Sequence, residues 1–303
     1  MHLAQGGDQI ILGTRHSIAS PNWLPKAEVE KIEDIDMKLR WLEKQILITT
    51  TQWDKSLTFF YPETKIWMRD AESYCKHLTQ TCNYLNAAKL IDWDKYLVPS
   101  SRVLDVGCGG GWLTAFLSKN NKINQILSID SSLSYLDDYL PMVVNLLGGD
   151  INKVETIQGL FSPIILEDES IDTIVISSAL HHADNINTVL VEFYRVLKPV
   201  GYLMILNETP VKNLTFIIQT LKAVIKIFLS IILKRYQPYL QKVSAGAHLN
   251  NPYLGDVDYP DWYWQKAISA SGFDLVEYRD SKLPTISGLE GRSLKHFICK
   301  KLK

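Results

Sequence analysis

The sequence lacks an excess of basic residues: its 303 residues contain 32 Lys and Arg against 33 Asp and Glu, a formal net charge of −1. Proteins that bind duplex nucleic acid usually carry a strong basic excess, because neutralising phosphates supplies much of their affinity. The charge balance therefore argues against a nucleic-acid partner. Repeats and low-complexity segments are also missing, and the 46% hydrophobic content excludes disorder for most of the chain.

Cysteine is scarce, and its spacing excludes the common metal and disulfide patterns. The sequence has four cysteines, no CxxC pair and no Cys/His cluster with zinc spacing, so no metal site is predicted. Cys75 and Cys82 lie seven residues apart, which places both on one face of a helix and predicts two small buried side chains. So few cysteines fit a reducing compartment. Residues 1–13 lack the basic and apolar regions of a secretory signal, so we expect a cytoplasmic protein.

After Ser101, apolar runs of strand length alternate with segments of helical pattern. Strands are predicted at 102–106, 125–130, 154–158, 171–177, 201–207, 273–278 and 296–300, with helices between most of them. This alternation favours an α/β fold: a doubly wound, mostly parallel seven-stranded sheet with helices on both faces. In such a sheet, ligands bind beyond the carboxyl ends of the strands, near the point at which the strand order reverses.

The predicted core comprises residues 97–210 and 261–303. One further region precedes it and another interrupts it. Residues 1–96 are predicted to form a helical, aromatic-rich N-terminal cap, and residues 211–260 a helical insert after the fifth strand that acts as a lid. Seven of the eight tryptophans lie outside 101–210. Aromatic surroundings suit an apolar organic ligand, although the same residues would equally serve to pack the N-terminal helices onto the sheet.

A glycine-rich loop follows the first predicted strand. Residues 103–112 have the sequence VLDVGCGGGW, in which the strand ends at Asp105 and glycines follow from Gly107. Glycines here let the backbone turn sharply and approach a ligand closely. The dinucleotide fingerprint G-x-G-x-x-G fails, because Trp112 stands where the third glycine belongs. A second acid, Asp130, ends the next predicted strand, where a carboxylate can accept the hydroxyls of a ribose.

With these features the chain resembles the class I S-adenosylmethionine-dependent methyltransferases over roughly residues 97–210 and 261–303. Four segments carry the resemblance: VLDVGCGGG, SIDSS at the end of the second strand, SIDTIVISSALHHA around the fourth, and EFYRVLKPVGYLMILNE through the fifth. The resemblance implies methylation of a small, partly apolar metabolite and is strongest to the group that includes quinone-biosynthesis enzymes. Methylation of a peptide or protein, and a non-catalytic cofactor-binding subunit, stay open as alternatives.

The resemblance also implies a set of cofactor-binding residues. Asp105 would orient the loop near the methionine amino group, the loop glycines would line the cofactor by their backbone, and Asp130 would bind the ribose. Leu160 departs from the family pattern, in which Asp often follows Gly159, so the adenine would use Gln158 or a backbone carbonyl instead. The complete implied set is Asp105, Gly107, Cys108, Gly109, Gly111, Asp130, Ser131, Gly159, Leu160, Phe161 and Ser177.

Three histidines are candidates for a general base. His181 and His182 follow the fourth strand, where an acceptor would meet the cofactor, and His248 lies in the insert. Histidine titrates near neutral pH and suits this role, although each could instead be structural. A base is needed only if the acceptor carries a proton that must leave. No Asn/Asp-Pro-Pro-aromatic motif, typical of methylation of amino groups on DNA bases, follows the strand.

The apolar stretch 214–233 is the remaining conspicuous feature. Its polar residues recur every three or four positions and form one stripe along a helix, which a membrane-spanning helix would have no reason to align. We therefore expect an amphipathic helix whose broad apolar face packs on the core or covers the acceptor. A homodimer interface and peripheral contact with a membrane surface are the alternatives.

Overall fold

The structure is a computed structural model that describes residues 42–51, 68–232, 248–251, 256–284 and 292–302. Most of the predicted N-terminal cap, including Trp23 and Trp53, lies outside the described residues. The parts of the cap that are described, residues 42–51 and 68–96, are largely helical, in agreement with the prediction.

A seven-stranded sheet forms the centre of the fold and confirms the predicted α/β architecture. Its strands are β1 (Ser101–Val106), β2 (Ile123–Asp130), β3 (Val154–Gln158), β4 (Ile171–Ser177), β5 (Leu197–Glu208), β8 (Phe273–Pro284) and β9 (Ser293–Lys301), and a separate pair consists of β6 (His248–Asn251) and β7 (Asp256–Asp258). The order in the large sheet is β3-β2-β1-β4-β5-β9-β8. The first five of these are parallel, and β9 runs antiparallel to both of its neighbours. The strand order reverses between β1 and β4.

Strand β1 shows why its apolar run is almost continuous. Leu104 and Val106 belong to the core on one face of the sheet, where they share a cluster with Phe193. Val103 belongs to the core on the opposite face, together with Leu113. Successive side chains of a strand point to opposite faces, so a strand covered on both sides needs apolar residues at nearly every position.

Helices cover both faces of the sheet. They are α1 (Ala71–Lys76), α2 (Tyr84–Ala88), α3 (Trp93–Tyr96), α4 (Trp112–Ser118), α5 (Leu140–Leu146), α6 (Ile186–Val196), α7 (Asn213–Ile232) and α8 (Asp261–Ala270). Polar side chains cap the N-termini of some of these helices: the side chain of Asn185 accepts the N–H of Asn187 at the beginning of α6. A helical turn, His77–Thr81, continues α1, and Cys75 and Cys82 are buried along it, as predicted.

The insert between β5 and α8 corrects two expectations. Its described part contains the antiparallel pair β6–β7 as well as a helix, since Pro252 and Gly255 in the sequence between these strands disfavour a continuous helix. Its two ends are joined, since Val211 donates its N–H to the carbonyl of Tyr259 at 3.0 Å.

The second correction concerns the face that α7 presents to the protein. Phe216 is only 7% exposed and packs edge-on against Trp262, with ring centroids 6.0 Å apart. The predicted polar stripe, at Thr215 and Gln219, is half-buried on this side, whereas apolar residues such as Leu221 are exposed. The expectation that the broad apolar face packs on the core was therefore wrong for the described side chains.

Candidate functional site

The glycine loop turns the chain from the end of β1 into the start of α4. Gly107, Gly109 and Gly111 have φ angles of 64°, 53° and 79°, a region that L side chains rarely adopt. A Cβ on Gly107 would lie 2.9 Å from Cε1 of Phe161, and one on Gly109 would lie 2.6 Å from the hydroxyl of Tyr74. Any other residue at these positions would therefore clash with Phe161 or Tyr74, so the glycines let these rings approach the loop closely.

Asp130 ties this loop to the end of β2. Its Oδ2 accepts the N–H of Gly109 at 2.9 Å, and its Oδ1 accepts the N–H of Ser132 at 2.9 Å. Burial raises the pKa of the Asp130 carboxyl, and these backbone donors act in the opposite direction. Each carboxylate oxygen has a second lone pair, so the group can still accept two hydroxyls of a ligand.

Asp105 connects β1 with the helix that follows the glycine loop. Its side chain is buried, and its Oδ2 accepts the hydroxyl of Thr114 at 2.7 Å, which places Asp105 between the loop and α4. Burial raises the pKa of its carboxyl to about 7. Asp105 is not among the residues that line the cavity beside the loop. Its contact with a methionine amino group stays a prediction.

A cavity of about 200 Å³ lies beside the loop and opens to solvent. Of the residues predicted to bind a cofactor or a proton, those that line it are Gly107, Cys108, Gly109, Asp130, Ser131, Gly159, Leu160, Phe161, Ser177 and His182. Gly111 does not line it: a Cβ there would meet Leu140 at 2.5 Å, so this glycine serves the packing of α4. His181 lies just outside the lining set, and the side chain of His248 lies outside the described residues.

Residues after β3 form one wall of the cavity. Leu160 is buried and Phe161 lies against Gly107, which makes this wall apolar. Gln158, which we considered as an adenine partner, donates its side-chain amide to the carbonyl of Ser131 at 3.0 Å. A flat base would thus meet an apolar surface here, with Gln158 holding the neighbouring loop.

Two contacts from the N-terminal region were missed by the sequence analysis. The hydroxyl of Tyr74 accepts the N–H of Gly110 at 2.7 Å, and Thr50 donates its hydroxyl to the carbonyl of Ser131 at 2.7 Å. The only signal for Tyr74 was the aromatic enrichment of residues 51–96, which does not say which ring reaches the loop, and nothing in the sequence pointed to Thr50.

The opposite wall combines hydroxyl groups with aromatic rings. The hydroxyl of Tyr84 lies 2.8 Å from that of Ser178, and Asn207 donates its side-chain amide to Ser177 at 2.9 Å. The ring of Tyr84 also lies 6.1 Å, between centroids, from that of Trp112. This wall can bind an apolar ring on its face and orient a polar substituent at its edge.

A carboxylate holds one of the two adjacent histidines. Oε2 of Glu208, at the end of β5, lies 2.8 Å from Nδ1 of His181, and Oε1 of the same carboxylate accepts the N–H of Leu180 at 3.2 Å. Glu208 is 1% exposed. The His181 ring stands 4.1 Å, between centroids, from the ring of His182, which lines the cavity. The sequence analysis did not single out Glu208.

Metal ligation finds no support in the described ranges, where no group of three or more His, Cys, Asp or Glu residues could hold an ion.

The insert meets the histidines directly, because β7 packs against the turn Leu180–His182. The site therefore consists of a glycine loop, the carboxylate of Asp130, an aromatic wall and the adjacent rings of His181 and His182, of which His181 is held by Glu208.

Comparison with protein families gives two matches. Residues 104–205 match a family described as a methyltransferase domain. Residues 57–141 match the protein-L-isoaspartate(D-aspartate) O-methyltransferase family.

Curated relatives agree with the first match, and a solved structure shares the fold. A mitochondrial ubiquinone biosynthesis O-methyltransferase of Candida albicans is 25% identical over 61% of this chain and 52% of its own length. A ubiquinone/menaquinone biosynthesis C-methyltransferase of Hydrogenovibrio crunogenus is 29% identical over 59% of this chain and 68% of its own length. The complex between the Haloferax volcanii Trm112 methyltransferase activator and a methyltransferase shares the fold, with a TM-score of 0.53 and 12% identity over 78% of this chain and 96% of that one.

Proposed function

The chain belongs to the class I S-adenosylmethionine-dependent methyltransferase superfamily, and we propose that it methylates a small, partly apolar organic metabolite. The observation that carries this proposal is the composition of the cavity wall. The carboxylate of Asp130 and the rings of Tyr84, Trp112 and Tyr135 line the same space. A carboxylate suits a ribose, and aromatic rings suit an apolar acceptor beside it.

The residues of the cavity fit the cofactor. When bound, S-adenosylmethionine supplies a methyl group on a positively charged sulfur, which is an activated leaving group. Gly107 and Gly109 line the cavity by their backbone alone, so no side chain stands between the loop and the cofactor. Asp130 keeps one lone pair on each oxygen for the ribose hydroxyls. Leu160 and Phe161 provide an apolar surface for the adenine.

Orienting the acceptor is the main task left to the protein. A displacement at carbon needs the attacking atom, the methyl group and the leaving atom in line, and holding them so supplies much of the rate. The paired hydroxyls of Tyr84 and Ser178 can fix a polar substituent, while the ring of Trp112 holds the apolar part. Together they would restrict both the position and the rotation of a planar acceptor.

Proton removal is assigned to His181. The buried carboxylate of Glu208 accepts the Nδ1 proton of a neutral ring, which places the lone pair of the ring on Nε2. The same carboxylate stabilises the ring after it gains a proton. His181 would therefore take a proton from an acceptor hydroxyl or acidic carbon at the edge of the cavity, next to His182, which lines it, with Glu208 as the positioning residue.

The relatives support the acceptor class. Two of them are named for ubiquinone or menaquinone biosynthesis, one as an O-methyltransferase and one as a C-methyltransferase. An aromatic ring with an apolar substituent is the kind of acceptor that fits the wall described above. Because the two names differ in the atom that is methylated, they favour a biosynthetic acceptor class without choosing between oxygen and carbon.

Methylation of a protein carboxyl group is the second candidate, favoured by the match of residues 57–141 to the isoaspartate O-methyltransferase family. That region includes the glycine loop and Asp130, which serve the cofactor, but ends before Ser177 and His181. The match therefore concerns the cofactor side of the site and leaves the acceptor side unassigned.

A labelling experiment separates these functions. The full chain is incubated with methyl-labelled S-adenosylmethionine and, in parallel, with a panel of hydroxylated aromatic compounds bearing apolar chains, with isoaspartyl peptides, and with cell extract. Mass spectrometry identifies the products, and Asp130→Ala serves as the control. We expect label in small aromatic products from the wild-type protein only. Label in peptide carboxyl groups would replace the proposed acceptor class. Cofactor binding without any labelled product would favour a non-catalytic subunit.

A further inference from the structure

We propose that helix α7 docks the protein on an anionic phospholipid surface. Seven large apolar side chains of this helix are between 43% and 68% exposed: Leu214, Ile217, Ile218, Leu221, Val224, Ile225 and Phe228. At about 100° per residue they form one stripe about 120° wide along the helix. An exposed apolar stripe of this length marks an interaction surface, because leaving it in water is unfavourable.

The charge of the surrounding segment points to the occupant. Residues 209–255 contain six of the 32 Lys and Arg residues and none of the 33 Asp and Glu residues. The remaining residues contain 26 Lys and Arg and all 33 Asp and Glu, so this segment is net positive whereas the rest of the chain is net negative. Lys222 is exposed and lies on the helix at the border of the apolar stripe. A helix with a broad apolar face bordered by lysines suits the headgroup region of a bilayer that contains anionic lipids.

Other occupants fit the surface less well. Nucleic acid would use the cations but would leave the apolar stripe in water. A second copy of the chain would bring the exposed Lys222 of both copies to the same interface, and like charges there oppose association. Insertion across the bilayer has no candidate, because none of the helices within the described ranges is both long and apolar enough for a span.

The packing of α7 on the rest of the protein determines the orientation in which the protein would bind to the bilayer. The inner side of the helix is held by Phe216, whose ring packs on Trp262 of α8. The helix begins five residues after Glu208, so it starts at the carboxyl edge of the sheet, where the cavity lies. Docking would therefore turn this edge towards the bilayer. This inference does not rest on the proposed acceptor.

Flotation with vesicles tests the inference. The full chain is mixed with vesicles of phosphatidylcholine alone or with 30 mol% phosphatidylserine as a chosen test composition, at low and high salt. We expect binding that is at least about tenfold stronger with the anionic vesicles. This binding should weaken with salt, because salt screens the attraction between the lysines and the anionic headgroups. No binding to either composition would overturn the inference.

Matched variants locate the contact. Leu221→Glu/Ile225→Glu places two charges one turn apart on the exposed stripe, and Met142→Glu/Leu146→Glu does the same on exposed positions of α5. We expect the first variant to lower vesicle partitioning by about tenfold or more and the second to lower it by less than about twofold. Circular dichroism and thermal unfolding check that both fold. Equal losses in both variants, or a wild-type dimer that the first variant dissociates in the absence of vesicle binding, would overturn the inference.

Discussion

The hydroxyl of Tyr74 accepts the backbone N–H of Gly110 at 2.7 Å, which joins α1 to the glycine loop. The ring of Tyr74 packs edge-on against Tyr139, with centroids 5.3 Å apart. Burial raises the pKa of the Tyr74 phenol well above its usual value, so the group stays neutral at physiological pH. The shape of the loop is therefore maintained from the N-terminal side as well as from β2.

Tyr74→Phe should weaken cofactor binding. The substitution keeps the ring but leaves the N–H of Gly110 without its partner, and a buried donor in that state costs about 1–3 kcal/mol. We expect about tenfold lower affinity for S-adenosylmethionine in calorimetry. Tyr194→Phe is the matched control, because the Tyr194 hydroxyl donates to the carbonyl of Leu302 at 3.4 Å and Tyr194 is not among the residues that line the cavity. Equal affinity in both variants and the wild type would show that the loop does not depend on Tyr74.

Asp130→Asn should weaken cofactor binding more strongly. The amide nitrogen cannot accept a ribose hydroxyl and would face one of the two backbone donors that the carboxylate now satisfies. We expect a loss of about 2 kcal/mol, or roughly 30-fold in affinity. Asp137→Asn, at an exposed position of the neighbouring helical turn, controls for the change of charge. Unchanged binding in the first variant would place the ribose elsewhere.

Asp105 should make the stability of the protein depend on pH. The pKa of its carboxyl rises from 3.8 to about 7 on folding, so the folded state binds this proton more tightly than the unfolded state. Its stabilising contribution is present below about pH 4 and is lost as the pH rises through about 7.

Asp105→Asn removes this titration while keeping an acceptor for Thr114. The free energy of unfolding of the variant relative to the wild type should therefore increase between pH 5 and pH 8, by about 2–3 kcal/mol. Urea unfolding at several pH values measures the difference, with exposed Asp138→Asn as the control. A difference that is independent of pH would contradict the prediction.

His181→Gln should lower kcat by about 10²–10⁴-fold if the acceptor carries a proton, with cofactor affinity unchanged. Glu208→Gln keeps the shape of the buried side chain but stabilises a protonated ring less. We expect it to reduce kcat by about tenfold or more and to lower the apparent pKa of the base in the pH–rate profile. His77→Gln, away from the cavity, is the control. Losses below about tenfold for both His181→Gln and His182→Gln would indicate positioning alone.

Most of the sheet could be predicted because its signals are local. Each parallel strand is a continuous apolar run. The glycine loop and Asp130 lie within about 30 residues of each other, so this motif can be recognised from a short stretch of sequence. The start of β5 at Leu197 rather than near Gly201 was missed, because Lys198 and Pro199 break the apolar run while their backbone still extends the strand.

Contacts between distant segments could not be predicted in the same way. Tyr74 lies 36 residues before Gly110, and no periodic pattern relates them. The pair of His181 and Glu208 was accessible in principle, since both follow neighbouring parallel strands whose carboxyl ends meet at one edge. The stripe on α7 was identified correctly, but periodicity does not show which side faces the protein. The cytoplasmic location and a homodimer stay predictions.

The junction of Val211 with Tyr259 and Pro260 has a consequence for how this chain can change over time. Because the two ends of the insert meet at the sheet, the entropy lost in closing it depends only weakly on its length. Substitutions, deletions or exchanges within 212–258 need not disturb the strand order on either side. Selection could therefore change the acceptor and docking surfaces formed by the insert while the cofactor-binding core stays constant. Chimaeric proteins in which residues 212–258 are replaced by the insert of another protein should keep the sheet intact.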